Sequence, residues 1–393
     1  MLISSIIFFR RANMNYTVIE AKSKKQLKEF ADFPNILYEN NNYYVPGLLS
    51  DDIATFDPNK NPAFEYCKAK YWLAKDENNH TVGRIAAIIN QKHIEKFHEN
   101  TGRFGFIDFI EDYTVAKLLL DTACDWLKQN GMDSVIGPLG FCDMDPEGML
   151  VEGFDEESTL TTIYNHPYYP EYVEKYGFVK DVDWFEYRMT VDSIPDTLRQ
   201  ISQRALTKYN LRVYQARSLK ELKDKYGQSI FTLLNEAYRD LYGFIPLTQK
   251  QIDAFISQYI ELLTLDYIRL IIDENDELIS FGIGMPSLSE PLKKYRGRLN
   301  IFSAIPLLKA LKSKHPKTID LLLIATREDY QRRGVNATLL CEMFDYAKAR
   351  GVQSFNMNPQ LETNIKVRNS FKYFNVTNNK IRRSYVLKFN KQN

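Results

Sequence analysis

The sequence predicts an α+β protein of two similar domains, each a mixed, mostly antiparallel sheet flanked by helices. Three observations carry this. A chain of 393 residues has room for two domains, or three, at ~100–200 residues each. One order of elements occurs twice: strand, helices, hairpin, strand, helix, strand, helix, strand. The halves also differ in charge: the overall +1 hides −12 over residues 1–192 and +13 over residues 193–393. The expected division is a leader at 1–13, a first domain at 14–192 and a second at 193–393. Such opposition either gives the basic half an anionic partner or draws the halves together.

In the first half, Tyr16–Glu20, Tyr71–Ala74, Val82–Ile89 and Phe104–Phe109 read as strands. Val115–Asn130 follows as a helix, with Leu119, Ala123, Trp126 and Leu127 on one face and Gly131 as its stop. Ser134–Gly137 is a strand, Tyr169–Tyr176 a helix and Trp184–Met189 the last strand. The link is expected near Val191–Leu206.

The second half repeats the outline. Leu211–Tyr214 is a strand, and Leu219–Tyr242 and Gln249–Leu263 are helices, the latter with Ile252, Phe255, Ile256 and Tyr259 on one face. Tyr267–Ile272 and Leu278–Ile283 form a hairpin across a polar turn. A short helix at Ile305–Lys314 precedes a buried strand, Ile319–Ala325. The next helix carries Ala337, Leu340, Phe344 and Ala347 at helical spacing and stops at Gly351. Ser354–Met357, a helix at Ile365–Tyr373 and a strand at Arg383–Phe389 complete the domain. The recurrence indicates a duplication.

Composition narrows the function classes. Hydrophobic residues at 44% and charged residues at 26% exclude a disordered chain, and Gly 17 with Pro 15 excludes a collagen-like one. Cys67, Cys124, Cys142 and Cys341 form no CxxC, and the five histidines have no metal spacing, so neither a disulfide framework nor a metal site is expected. The apolar run Leu2–Phe9 is far shorter than the ~20 residues of a membrane span, and Arg10 and Arg11 follow it where a signal peptide needs charge before it. Residues 1–13 are read as a dispensable, disordered leader and the protein as cytoplasmic.

The sharpest motif is Gln331-Arg-Arg-Gly-Val-Asn-Ala337, which joins an apolar strand to an amphipathic helix. Such a junction aims several backbone N–H groups at one point, where the helix dipole favours an anion. Gly334 allows close backbone approach and Arg332 and Arg333 add charge, which describes a pyrophosphate cradle. No Gly-Lys-Ser/Thr ending marks it as a P-loop.

On these residues the second half resembles the GNAT superfamily of acyl-CoA-dependent N-acyltransferases. The family's Gln/Arg-x-x-Gly-x-Gly/Ala motif matches at Gln331 and Gly334 and departs at Asn336. The resemblance implies that Gln331, Arg332, Arg333, Gly334, Val335, Asn336 and Ala337 hold the pyrophosphate of acetyl-CoA or another acyl-CoA. It also implies that the edge Leu323, Ile324, Ala325 and Thr326 pairs with the pantetheine arm. A second family feature places Asn364 in the cofactor site, with Phe371 where a tyrosine often protonates the leaving thiolate and Tyr373 two residues on. The first half matches this second feature better, at Asn165–Phe178, but its Ile110-Glu-Asp-Tyr-Thr114 has no glycine and two acids, which would repel a polyanion. Only the second copy is therefore expected to bind CoA.

The implied reaction is direct attack of an amine on the thioester. An alkyl ammonium (pKa ~10.4) must lose a proton first, and Glu328 and Glu362 are the candidate catalytic bases. The acidic segment Phe141–Gly148 mimics part of a calcium loop but lacks its last acid; it either receives a cationic amine or is a solvated loop, and the solvated loop is preferred. The expected partner is a small-molecule or peptide amine, with no DNA, no membrane, and a monomer or homodimer. Two alternatives remain: an aminoacyl-tRNA-dependent transferase of the peptidoglycan type, with tRNA as partner, and a non-catalytic module binding acyl-CoA or a protein.

Overall fold

The computed structural model describes residues 15–192, 194–260, 263–365 and 374–389, and joins the strands of both halves in one sheet. The first half supplies β1 (Thr17–Glu20), β2 (Cys67–Lys75), β3 (Thr81–Asn90), β4 (Thr101–Phe109), β5 (Ser134–Gly137), β6 (Met149–Glu152) and β7 (Val179–Thr190). The second supplies β8 (Arg212–Tyr214), β9 (Ile268–Ile272), β10 (Leu278–Pro286), β11 (Thr318–Thr326), β12 (Ser354–Met357), β13 (Gln360–Leu361) and β14 (Val376–Lys388). Across the sheet the order is β1-β2-β3-β4-β5-β14-β7-β12-β11-β10-β9-β8, with β6 beside β14 and β13 beside β7. Among the described residues only β4 with β5 and β11 with β12 run parallel.

The helices are α1 (Lys24–Leu37), α2 (Leu49–Thr55), α3 (Gln91–Phe97), α4 (Tyr113–Gln129), α5 (Tyr168–Tyr176) and α6 (Asp196–Lys208), then α7 (Leu219–Tyr238), α8 (Gln249–Tyr259), α9 (Ser289–Tyr295), α10 (Ile301–Leu311) and α11 (Val335–Ala349). Helix α4 forms because its apolar residues recur every three or four positions and Gly131, at φ 84°, ends it. Its Leu119, Ala123 and Leu127 are wholly buried against β3 and β4; a large aliphatic side chain so placed contributes roughly 1.5–3 kcal/mol. Helices α1 and α2 cover the opposite face through Phe30 and Leu49, with Phe56 just past the end of α2. In the second half α11 and α6 cover one face and α7 with α8 the other. Ser218 caps α7, and Thr248 with Gln251 forms a capping box on α8.

The last strand of each half crosses to the other. β7 pairs with β12 (Phe355 opposite Met189), β14 pairs with β5 (Tyr385 opposite Gly137), and the two pair with each other from Val376 to Val386. A buried ion cluster spans the crossing. Glu186 of β7 accepts from Arg382 of β14 and sits 2.9 Å from Lys380 Nζ, all three at most 3% exposed.

Several elements escape the sequence reading: α1, α2, α3, α6, α9, β6 and β13. The segment Val191–Leu206, expected as a link, is mostly α6, which buries Leu198, Ser202 and Ala205 against α11. The short helix expected from Ile305 begins at Ile301, where Asn300 and Ser303 form a capping box. The leader at 1–13 and the helix carrying Phe371 and Tyr373 lie outside the described residues, apart from Ile365.

Candidate functional site

Strands β11 and β12 stay in register only as far as Leu321 opposite Met357. Beyond that point β11 runs on to Thr326 against β10 alone, so a gap opens on its other side. The register with β10 slips at Ile283/Gly284 and leaves Leu322 unmatched, a bulge at the mouth of the gap. The carbonyl of Leu322 accepts from Asn358 Nδ2, that of Ile324 from the Tyr238 hydroxyl (3.0 Å) and that of Thr326 from Gln331 Nε2 (3.4 Å). The N–H and C=O of a residue in an extended strand point the same way, so the amides of Ile324 and Thr326, beyond the bulge, face the gap. The Ala325 carbonyl faces β10, where Ser280 Oγ donates to it at 2.8 Å. Of the expected edge, Ile324 and Thr326 thus present backbone to the gap, and Leu323 and Ala325 ladder with β10. Leu322 and Tyr238 were not anticipated, because neither a bulge nor a tyrosine arriving from α7 leaves a local signal.

At the outer end of β11 the chain turns into α11. Arg332 (φ 60°) and Gly334 (φ 85°) are both left-handed, which folds the intervening amides into a concavity of the kind that binds anions. Among the described residues the amides of Arg332, Gly334, Val335 and Asn336 donate to no protein acceptor, and no side chain caps α11. Arg332 and Arg333 are exposed beside them, Arg333 lying over Tyr209 and Tyr330 at 5.3 and 5.6 Å. Asn336 Oδ1 accepts from Thr326 Oγ1 at 2.5 Å and so ties strand end to helix start, whereas Val335 and Ala337 turn into the core. Gly334 packs against α6: a Cβ there would stand 2.8 Å from Ile201 Cγ2.

The three remaining candidates are dispersed. Glu328 is on the cradle's own turn, its side chain 82% exposed and 3.6 Å from Arg239. Glu362 lies past β13, accepting from Lys180 Nζ (2.8 Å) and the Asp183 amide (3.2 Å). Asn364 follows it, its amide bound to the Leu361 carbonyl at 2.9 Å. Neither Glu362 nor Asn364 belongs to the turn between β11 and α11.

The first half has the same gap, filled. β4 and β5 part after Arg103 opposite Ile136, and the Leu139 amide then takes the Phe104 carbonyl at 2.9 Å. At the outer end the Phe109 amide donates to Tyr169 Oη and its carbonyl accepts from Tyr168 Oη, both at 2.8 Å. Where α11 is uncapped, α4 is capped by Asp112, whose carboxylate accepts the Thr114 amide (2.8 Å) and the Tyr16 hydroxyl (3.0 Å). A carboxylate stands there where the other half leaves amides open.

The segment Phe141–Gly148 is not a solvated loop. Phe141 and Cys142 are buried, and Cys142 and Met144 pack in one cluster with Leu322, Leu323 and Tyr238 beside the gap. Asp145 accepts the amides of Phe141 (2.7 Å) and Cys142 (3.3 Å), and Asp143 accepts that of Ile245 (3.2 Å). Burial pushes Asp143 and Asp145 up to about 6, against the pull of Arg103, and raises Glu147 further with help from Asp143. Arg103 is itself buried and donates to the Gly140 (3.0 Å) and Gly243 (3.1 Å) carbonyls, so the loop is held from both halves. No group of three metal-ligating side chains converges among the described residues.

Comparison with known proteins bears on this arrangement. No family model matches the chain. It is 29% identical over 355 residues to protein YghO of Escherichia coli K12, covering 88% of this chain and 89% of that one. It is 26% identical over 365 residues to the bacterial ceramide synthase of Caulobacter vibrioides, covering 91% and 93%. Among solved structures, a tandem GNAT protein of the clavulanic acid biosynthesis pathway superposes with a TM-score of 0.54 at 9% identity, over 97% of this chain and 100% of that one. This chain has the tandem GNAT fold. Its two GNAT-like copies share one sheet.

Proposed function

We propose that the chain is an acyl-CoA-dependent N-acyltransferase, that its second copy holds the acyl-CoA, and that its acceptor is a long-chain amine of the kind acylated in ceramide formation. The observation that carries the reading is the open edge of β11 leading to a basic, uncapped helix start. Those residues fit the donor. The amides of Arg332, Gly334, Val335 and Asn336, with the two arginines, would hold its pyrophosphate, and the Ile324 and Thr326 amides would take its pantetheine arm. When bound, acyl-CoA supplies a thioester carbon open to attack. The first copy, capped by Asp112, takes no part in holding it. The name of the Caulobacter relative favours a lipid amine as acceptor.

The chain's own residues account for the protons. An ammonium of pKa ~10.4 must give one up before its nitrogen can attack. Asp143 and Asp145, at about 6, are ionised at neutral pH and lie on the loop beside the gap, so we assign them this proton. Glu328, on the cradle's turn, and Glu362, engaged by Lys180, are secondary candidates. As the N–C bond forms and the C–S bond breaks, the nitrogen loses its second proton and the thiolate gains one. The thiolate (free thiol pKa ~8.5) can take back the proton that Asp143 or Asp145, at about 6, has accepted. Tyr238, its phenol pushed up to about 12 by burial, stays protonated and serves at the edge as a hydrogen-bond donor only. Holding amine and thioester together supplies the larger share, about 7–11 kcal/mol.

The test is incubation of the protein with acetyl- or palmitoyl-CoA and a long-chain amino alcohol, following amide and free thiol by mass spectrometry. Amide and thiol should appear in equal amounts, and the rate should fall as pH drops through about 6, where Asp143 and Asp145 protonate. Asp143→Asn should lower kcat by roughly 10²-fold or more. Product only from charged tRNA would replace this reading with the aminoacyl-transferase one, and binding without turnover would leave a non-catalytic module.

A further inference from the structure

Helix α10 is apolar on every side: of Ile301-Phe-Ser-Ala-Ile-Pro-Leu-Leu-Lys-Ala-Leu311, only Ser303 and Lys309 are polar. A helix of that composition belongs in a core or against a lipid phase, yet only one side of this one is covered. Leu307, Ala310 and Leu311 pack with Leu292 and with Leu322, the bulge residue of β11. The other side faces outward, with Ile301 at 81%, Phe302 at 79% and Ile305 at 69% exposed, and Leu299 and Leu308 extend it. Positions 301, 302, 305 and 308 fall on one stripe of a helix. The capping box of Asn300 and Ser303, with Ser303 Oγ also donating to the Arg298 carbonyl at 2.6 Å, fixes the helix with that stripe outward.

The charge around the stripe names the occupant. From Pro291 to Ile319 the chain carries eight Lys or Arg and no Asp or Glu. Three of them are engaged with the first half, Lys293 with Glu157, Arg296 with Glu39 and Arg298 with Asp32. Lys294, Lys309, Lys312, Lys314 and Lys317 are exposed. An apolar stripe in a basic collar is complementary to an anionic bilayer, where the apolar face enters the acyl boundary and the lysines meet headgroups. We propose that α10 seats the protein in the plane of an anionic membrane. At 1.5 Å per residue the helix is far too short to cross one, and no described helix is long and apolar enough to do so. This departs from the sequence expectation of no membrane partner. It rests on the surface of α10 and not on the acyl-transfer reading, although the covered side of the helix lies directly over the bulge at Leu322.

The test is vesicle flotation of the full chain, with phosphatidylcholine alone and with an equimolar mixture of phosphatidylcholine and phosphatidylglycerol. The protein should float with the anionic vesicles, stay largely behind with the neutral ones, and be released at high salt. Phe302→Asp and Ile305→Asp should each cut the bound fraction about 10-fold without lowering Tm, since both side chains are exposed. Lys309→Glu with Lys312→Glu should weaken binding as well. An environment-sensitive dye on Phe302→Cys reports insertion directly, because Cys67, Cys124, Cys142 and Cys341 are buried; its emission should shift to the blue with anionic vesicles only. No flotation with anionic vesicles, or flotation that Phe302→Asp leaves unchanged, overturns the proposal. So does a dimer that Phe302→Asp splits in the absence of any vesicle binding, which would make the stripe a contact between copies.

Discussion

Gly334 serves the site in two ways, of which the sequence disclosed one. Its place in the motif announced a backbone that must approach a ligand. Its left-handed φ of 85° and its packing on Ile201 depend on α6, a helix 130 residues earlier that the motif does not mention. Gly334→Ala should therefore cost about 1–3 kcal/mol of stability by urea unfolding, from backbone strain and the Ile201 contact together; an unchanged midpoint would mean the loop relaxes freely. Arg332 and Arg333 are the better probes of the cradle itself, being exposed. Asn336 departs from the motif for a visible reason, since its side chain holds Thr326. Glu328 is close to the cradle in sequence, whereas the loop carrying Asp143 and Asp145 comes from the other half of the chain and packs beside the gap, where no spacing rule connects the two.

Elements were legible where their pattern is local. Ser134–Gly137 and Ser354–Met357 have the bounds their sequence indicates, and α4 and α11 follow their apolar spacing and glycine stops. Helix α1 was hidden because Pro34 lies inside it, and α6 because its mean character is polar and only three residues are buried. The exchange of β7 and β14 was hidden for a deeper reason: an alternating strand states which face is buried and says nothing about which neighbour it joins. The exchange has a consequence for folding. Residues 15–192 alone would leave β5 without β14, β7 without β12 and Glu186 without Lys380 and Arg382. Uncovered strand edges and an unpaired buried carboxylate are strongly unfavourable. The isolated first half should be aggregated or lack a cooperative melt by circular dichroism, and co-expression with residues 194–393 should recover a soluble complex. A first half that melts cooperatively alone would contradict the exchange.

For the whole molecule, the opposition of charge resolves into several uses. Part of it joins the halves, through Lys293 with Glu157, Arg298 with Asp32 and Lys250 with Glu65. A large part of the basic excess surrounds α10, and a smaller part, Arg332 and Arg333, flanks the cradle. The two copies differ at corresponding places of the fold: the gap beside β4 is filled and α4 closes its own N-terminus with Asp112, whereas the gap beside β11 and the N-terminus of α11 are open. The open one is the proposed seat of acyl-CoA. The most direct measurement is the melting temperature of the intact protein titrated with acetyl- and palmitoyl-CoA, for the wild type and for Arg332→Glu with Arg333→Glu. At ~100 times its Kd a ligand adds about 2.7 kcal/mol, a readily visible shift. A shift in the wild type that the charge reversal abolishes is the predicted result, and no shift with either acyl-CoA, or one the reversal leaves intact, would contradict it.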